Sequence, residues 1–406
     1  MPAPLSDMPM LAETGLLTKE LPAKLGGKGS SITIGLPKEV SLQENRIALT
    51  PDAVGLLIHH GFRVRIEKGA GLGAQFTDNQ YLLAGGEIVG SPEEVFDSEI
   101  ILKIEPLIES EFNLLKPGKA IFSTLNFPAL TKSYFERLLE KRVIGVAFET
   151  LEDKVGNLPV IRAMSEIAGN AALLLAAEFL SSAHGGRGVL MGGVTGVPPT
   201  SIVILGAGTV AEYATRAAIG LGAEVKVFDS QIYRLQRLKY AVGQHVHTSI
   251  LDTQLLSHAI QQADVVIGAL RAENGISPCV VTEEMVASMR PGSLIIDVSI
   301  DQGGCFETSE MTTHQHPTFV KHGIIHYGVP NIPSRVAHTA SIALSNIFTP
   351  MLLKMGRMGS IEEMIYNTPW FNQGIYCYKG HMTHEVMAKR FSLRYRDIAL
   401  LLAARL

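Results

Sequence analysis

Cysteine is scarce in this chain of 406 residues, which has three: Cys279, Cys305 and Cys377. So few thiols cannot build a disulfide framework. None belongs to a C-x-x-C pair, so a structural zinc site lacks its usual ligand pattern. Aromatic residues make up 6% of the sequence and charged residues 18%, with a formal net charge of −4. A chain without basic excess lacks the clustered positive surface that phosphate neutralisation needs, which argues against nucleic acid as a partner. The N-terminus shows no basic segment followed by an apolar stretch, the mark of a secretory signal. The uncharged stretch between Arg187 and Glu212 is broken by Gly192, Gly193, Gly196, Pro198 and Pro199. It reads as loop, buried strand and nucleotide loop, not as a membrane span. A soluble cytoplasmic protein with reduced thiols is expected.

Hydrophobic residues, at 46%, are ample for buried cores, and the length suits two or three domains. Residues 1–30, rich in Pro, Gly and small polar residues, read as an extension. From Ile32 the chain alternates strand and helix. Strands are expected at Ile32–Leu36, Phe62–Glu67, Ile100–Ile104, Ala120–Thr124 and Val143–Ala147. Thr50-Pro51-Asp52 and Ser91-Pro92-Glu93-Glu94 supply N-cap, N1 proline and first-turn acids for intervening helices. Met164 to Ala183 reads as one long apolar helix of the kind that bridges domains or fills a core. A second series follows, with strands at Ile202–Leu205, Glu224–Phe228, near His245–Thr248, Asp264–Ala269, Ser293–Ser299 and Gly323–Val329. Another long apolar helix runs from Arg335 towards Met355, and the remaining tail to Leu406 reads as mostly helical. Repeated βα units imply parallel sheets covered by helices on both faces.

Gly206-Ala207-Gly208-Thr209-Val210-Ala211 follows the first strand of the second series and opens a helix. Its form is G-x-G-x-x-A, the dinucleotide fingerprint. Gly206 permits the tight turn, Gly208 lets the backbone approach a pyrophosphate at the positive helix end, and Ala211 allows close helix–strand packing. Asp229 lies 23 residues after Gly206, at the end of the next strand, where an acid binds ribose hydroxyls. A carboxylate there repels a 2′-phosphate and favours NAD over NADP. Arg234, one turn further on, could reach a phosphate and works against that preference. As alternatives, the glycines form a structural turn and Asp229 caps a helix.

Two further stretches carry chemistry. In Gln43-Glu44-Asn45-Arg46-Ile47-Ala48-Leu49-Thr50-Pro51, Arg46 precedes a helix N-terminus and suits an anion, or else forms a surface salt bridge. In Asp297-Val298-Ser299-Ile300-Asp301-Gln302-Gly303-Gly304-Cys305, an acid stands at the C-terminal end of a buried strand, where open α/β sheets bind ligands. Turn chemistry is the alternative there.

From about Ile32 to Met355 the chain resembles the alanine dehydrogenase and pyridine nucleotide transhydrogenase family. The matching stretches are Gly35-Leu36-Pro37-Lys38-Glu39, Glu44 to Pro51, Glu67-Lys68-Gly69-Ala70-Gly71, Met164-Ser165-Glu166-Ile167-Ala168-Gly169, Gly192 to Pro199, and Asp297 to Thr308. The last, with His326 to Thr339, leans towards the dehydrogenases. The resemblance implies two doubly wound Rossmann-like domains, with an NAD domain (164–336) inserted into a discontinuous substrate domain (31–163 plus 337–406). It implies reversible oxidative deamination of L-alanine or a similar small L-amino acid to the 2-oxo acid. Arg46 and Lys103 would hold the substrate carboxylate, Asp301 would assist proton transfer, and Ser165 and Asn331 would line the cofactor and substrate cleft. The family's catalytic histidine falls on Asn126, which can hydrogen-bond a carbonyl or water but cannot exchange a proton near neutral pH.

That departure keeps a second reading open: an NAD(H)-binding subunit of a transhydrogenase, working with a membrane-bound, NADP-binding partner. Dehydrogenation of a larger amino acid, as in saccharopine-type relatives, is a third. The resemblance implies a homo-oligomer, hexameric for the dehydrogenases and dimeric for the transhydrogenase component. The tail from about Gly356 is expected to lie beyond the family's usual end. His338, near Asn331, is a weak candidate for the missing acid/base. His314 and His316 lack the partners of a metal site. Cys305 is a candidate exposed thiol without a partner that would make it a nucleophile.

Overall fold

The computed structural model describes residues 32–41, 43–125, 130–271 and 277–404. The first series supplies β1 (Thr33–Leu36), β2 (Arg63–Glu67), β3 (Glu87–Val89), β4 (Ile100–Leu102), β5 (Ala120–Ser123) and β6 (Ile144–Ala147). β4, β5 and β6 are buried at every position, as parallel strands covered on both faces must be. Between β1 and β2 the helix Pro51–His59 begins as its sequence dictates: Thr50 Oγ1 accepts from the Ala53 N–H and Pro51 occupies N1.

The second series supplies β7 (Ser201–Leu205), β8 (Glu224–Asp229), β9 (His247–Ile250), β10 (Val265–Gly268), β11 (Leu294–Asp297), β12 (Thr318–Lys321) and β13 (Ile324–Tyr327). They form a sheet in the order β12-β13-β11-β10-β7-β8-β9, parallel apart from β12, which pairs antiparallel with β13 at the edge. The strand β12 had no clear sequence signal, since its side chains are half-buried or exposed.

The tail departs from the mostly helical expectation. Besides the helices Ile361–Asn367, Glu385–Phe391 and Ile398–Ala403, it forms the hairpin β14 (Ile375–Tyr378) and β15 (His381–Met382). Ile375-Tyr376-Cys377-Tyr378 is a β-branched and aromatic run, and Lys379 and Gly380, both at positive φ, make its two-residue turn. β14 pairs antiparallel with β6, so the first sheet runs β15-β14-β6-β5-β4-β1-β2-β3 and is built from both ends of the chain.

Among the parallel strands of each sheet the order reverses once, between β1 and β4 in the first and between β7 and β10 in the second. At such points the connections leave to opposite faces and a crevice opens at the C-terminal strand ends. The stretches after β1, β4, β7 and β11, which carry Arg46, Lys103, the glycine loop and Asp301, follow strands at their C-terminal ends.

The long helix expected at Met164–Ala183 spans Pro159–Phe179. Pro159 sets its first turn, and a 3-10 turn at Ser182–His184 replaces its expected end. It lies against the helix Thr209–Gly220 that follows the glycine loop, with Ala168, Ala172, Ala211, Ala214 and Ala218 sharing one core. At Gly169 a Cβ would stand 2.4 Å from the Val210 carbonyl oxygen and 2.9 Å from the Ala214 nitrogen. Pro159–Phe179 and Ile332–Met358 are long and apolar enough to cross a membrane by composition alone. Here each buries part of its surface in the core of a sheet.

Gly169→Val should therefore wedge two helix backbones apart at a cost of about 1–3 kcal/mol or more. Thermal unfolding would show a lowered Tm; an unchanged Tm would contradict this close approach.

Candidate active site

The glycine loop leaves β7 and turns into the helix Thr209–Gly220. Gly206 sits at φ +104, and a Cβ there would meet the Ala269 carbonyl oxygen at 2.5 Å, so no other residue fits. At Gly208, the N-cap, a Cβ would meet nothing within 4 Å, and no side chain caps the helix. The loop thus presents an open cradle in front of a helix N-terminus, the arrangement that receives a pyrophosphate. Ala211 is fully buried in the helix–helix core.

Asp229 is buried at the end of β8. Its carboxylate accepts from the Ala207 N–H at 2.7 Å and from the Gln231 N–H at 2.7 Å. One side chain therefore fixes the glycine turn and the entry to the next helix. Arg234, the expected rival for a phosphate, donates to the Tyr233 hydroxyl at 3.1 Å. Arg237, which the sequence reading passed over, donates to the Ala207 carbonyl at 3.0 Å and so reaches the loop itself. Spacing alone could have found it: it lies two helical turns beyond Asp229.

After β11, Asp297 organises the loop that carries Asp301. It accepts from the Ser299 N–H (3.1 Å), the Cys305 N–H (2.9 Å) and the Ser309 hydroxyl (2.7 Å). Asp301 sits in the 3-10 turn Ile300–Gln302. Burial pushes its carboxyl up to about 6, Asp297 adds to the rise, and Arg271 opposes it. A carboxyl titrating there can both give and take a proton near neutrality. Cys305 departs from expectation: it is fully buried beneath this loop, and burial pushes its thiol up to about 12. The chain folds Cys305 inwards because its backbone N–H is held by Asp297.

In the first sheet's crevice, Arg46 is buried in an ion pair with Glu44, not on the surface. Nε and Nη2 of Arg46 donate to the two Glu44 oxygens at 2.8 and 2.6 Å, and Nη1 lies 3.3 Å from the Met164 sulfur. The fork occupies one edge of the guanidinium, and beyond it Nη1 meets only the Met164 sulfur among the described residues. Burial alone would raise the Glu44 carboxyl, but the Arg46 guanidinium, with the N–H donors around it, holds it below the usual carboxylate range. Asn331, in the left-handed region at φ +61, donates from Nδ2 to Glu44 at 2.8 Å. Asn331 follows β13 and Glu44 follows β1, so this bond joins the crevice ends of the two sheets. The Asn45 N–H to the Ser334 hydroxyl (2.8 Å) and the His314 N–H to the Gln43 side chain (3.1 Å) run the same way. Ser165 is half-buried on the helix Pro159–Phe179, next to Met164.

Lys103 follows β4 with its side chain wholly buried. Nζ donates to Glu111 at 3.0 Å and to the Pro106 carbonyl at 3.2 Å, and stands 3.6 Å from Glu39. Burial opposes its charge, but Glu39 and Glu111 together raise its pKa, so it stays an ammonium. Glu39, part of a family motif but given no role from sequence, accepts from the Ile104 N–H at 2.5 Å and the Glu105 N–H at 3.3 Å. Burial pushes its carboxyl up to about 7, against the pull of Lys103. A lone Glu after a strand gives no sign in sequence that it will be buried beside a lysine some sixty residues away.

The structure thus brings together Arg46, Asn331 and Met164 on one side, and Lys103, Glu39 and Glu111 on another. Asp301 makes no ion pair with Arg46 or Lys103. Asn126 lies outside the described residues. His338 is held by the Ala74 carbonyl (2.8 Å) and lies against Phe76. With His314, Asn45, Gln75 and Arg335 it lines a polar cavity of about 510 Å³. Among the described residues no three His, Cys, Asp or Glu side chains are grouped to hold a metal ion.

Family models described as alanine dehydrogenase/PNT, N-terminal domain and C-terminal domain, match residues 35–168 and 172–385. An alanine dehydrogenase of Methanococcus maripaludis is 42% identical over 367 residues, covering 89% of this chain and 97% of its own. Alanine dehydrogenase 2 of Staphylococcus aureus is 38% identical, covering 90% and 98%. A solved L-alanine dehydrogenase superposes with a TM-score of 0.84 at 36% identity, covering 89% of this chain and 99% of its own. A transhydrogenase of Sinorhizobium meliloti superposes at 0.74 with 23% identity, covering 87% and 99%, and shows the shared fold alone. The C-terminal match runs to residue 385, so the tail from Gly356 does not begin beyond the family's extent as expected.

Removing Glu44 would strand the buried Arg46 charge. Glu44→Ala should cost about 3–5 kcal/mol in chemical denaturation. Because the Glu44 carboxyl lies below its ordinary value of 4.5 in the folded chain, its stabilisation is present above that pH and is lost as pH falls through the folded value. Glu44→Gln should lack that part of the acid-induced loss, and an acid profile identical to that of the parent would contradict the pairing.

Proposed function

The chain belongs to the alanine dehydrogenase/PNT family, and from that premise we propose that it is an NAD-dependent alanine dehydrogenase. It would oxidise L-alanine, or a similarly small L-amino acid, to the 2-oxo acid, reversibly. The observation that carries this reading is the Asn331–Glu44–Arg46 chain of contacts. It joins the crevice ends of the two sheets at a guanidinium whose Nη1 meets the soft Met164 sulfur, a contact a substrate carboxylate would displace.

The residues of the glycine loop fit a dinucleotide. Gly206 and Gly208 would admit the pyrophosphate to the helix N-terminus, with Ala211 holding that helix close. Asp229 would take the ribose hydroxyls, with Arg234 and Arg237 at the rim and Ser165 and Asn331 lining the nicotinamide end. Bound there, NAD supplies the hydride acceptor. The inserted segment 164–336 is the NAD domain in this reading, and 31–163 with 337–406 is the substrate domain.

Arg46 would grip the substrate carboxylate through its Nη1/Nη2 edge. A bidentate grip fixes the α-carbon and is worth more than its charge alone. Lys103 would add positive potential to the same pocket. Asp301 would exchange the proton of the water that displaces ammonia, and Asn126 would orient the carbonyl or that water. We place the protein in the cytoplasm as a homo-oligomer.

Purified protein should form NADH from NAD with L-alanine. Turnover of none of a panel of small L-amino acids would overturn the reading. Arg46→Lys, which loses the planar fork, should raise KM for L-alanine by about tenfold or more with a smaller effect on kcat. Asp229→Ala should weaken NADH binding by about tenfold or more, since charged hydrogen bonds carry about 1.5–3 kcal/mol. Unchanged affinity would remove Asp229 from the cofactor site.

A further inference from the structure

Four carboxyl groups, Glu39, Glu44, Glu105 and Glu111, gather at the first sheet's crevice around two cations, Arg46 and Lys103. Glu44 takes Arg46 at 2.6 Å and Glu111 takes Lys103 at 3.0 Å. Glu39 is left buried with the same lysine at 3.6 Å and no cation of its own at hydrogen-bond distance. An ionised carboxylate buried without a full partner is costly, and the cost is relieved by keeping a proton. The family's imidazole position is meanwhile Asn126, which offers no titratable group.

We propose that Glu39, acting through Lys103, holds the proton exchanged with the substrate nitrogen. This rests on the dehydrogenase reading above. In the oxidative direction one Lys103 N–H bond breaks and an O–H bond forms at Glu39 Oε2, which frees the lone pair of Nζ. One N–H bond of the substrate ammonium then breaks, and its proton passes to that lone pair. Lys103 keeps its charge, Glu39 becomes a neutral acid, and the substrate nitrogen becomes a neutral amine with the lone pair that C=N formation needs. In the reductive direction Glu39 returns the proton by the same route. Glu39 is thus a positioning and proton-holding residue behind the lysine.

The backbone favours this role. The Ile104 and Glu105 N–H groups aim the Glu39 carboxyl at the segment that carries Lys103. The charged groups that face Glu39 are Lys103 and Glu105 from the segment after β4, and Glu44 and Arg46 from the loop after β1. The carboxyl, pushed up to about 7, can cycle at neutral pH, while Lys103, its pKa raised above the ordinary value, regains a proton after each transfer and ends the step as an ammonium.

The test is the pH dependence of kcat in both directions. The wild type should show an inflection near 7, the value to which Glu39 is pushed. Oxidation of L-alanine should speed up as pH rises through it, and reductive amination should slow. A second inflection near 6 belongs to Asp301. Glu39→Gln should lose the inflection near 7, keep the one near 6, and lower kcat by about 100-fold or more. Its KM for L-alanine and its affinity for NADH should stay within about threefold. Glu39→Asp should restore a shifted inflection and part of kcat, which a merely structural role for the side chain would not produce. If Glu39→Gln does not fold, the wild-type profile still decides: turnover without an inflection near 7 overturns the inference and leaves the dehydrogenase reading standing. A folded Glu39→Gln that keeps the inflection does the same. Absence of turnover with any L-amino acid would overturn both.

Discussion

A guanidinium and a carboxylate taken out of water together persist only if each satisfies the other, and the Arg46–Glu44 fork meets that condition with two short bonds. The rest of the crevice depends on it. Glu44 spends one edge of Arg46 and so decides which edge is left for a ligand. The same Glu44 oxygen that takes Arg46 Nη2 also receives the Asn331 amide, which arrives from the other sheet. A residue held in a left-handed conformation at φ +61 is disfavoured for a side chain other than glycine, and here that geometry aims its amide at Glu44. The sheet ends are tied to each other at the point where substrate charge would be neutralised.

Charge balance then shapes the neighbouring pocket. Lys103 is fully buried, and its nearest carboxylate is Glu111, so Glu39 stands as an acid with half a partner. Glu39 and Asp301 follow strands of different sheets, and the carboxyls of both are pushed towards neutrality by the same cause, burial. Two proton-holding groups, one beside each sheet, suit a reaction that must move protons at a nitrogen and at a water.

Much of the architecture was legible in the sequence because it follows from local rules. Apolar runs of four or five residues bounded by turn residues gave the inner strands, and Gly206 with Asp229 marked the tight turn after β7. What escaped depended on distant partners. β12 and the hairpin β14–β15 are edge elements, whose weak or short patterns gain meaning only when β13 and β6 stand beside them. Arg46 and Lys103 could be read from their motifs, but the burial of Arg46 in a pair, and of Lys103 between Glu39 and Glu111, could not. Glu39 and Lys103 lie far apart in the chain and meet because β1 and β4 are neighbours at the reversal of strand order. Cys305 was misread for the same reason: nothing local shows that Asp297 folds its backbone inwards.

The central claim is that this crevice moves hydride from the α-carbon of a small L-amino acid to a nicotinamide. The most direct measurement is the fate of the label from L-alanine carrying deuterium at Cα, incubated with the purified protein and NAD. One deuterium is expected in each NADH formed, with pyruvate and ammonium in equal amounts. Deuterium appearing in the solvent, with NADH unlabelled or absent, would contradict it.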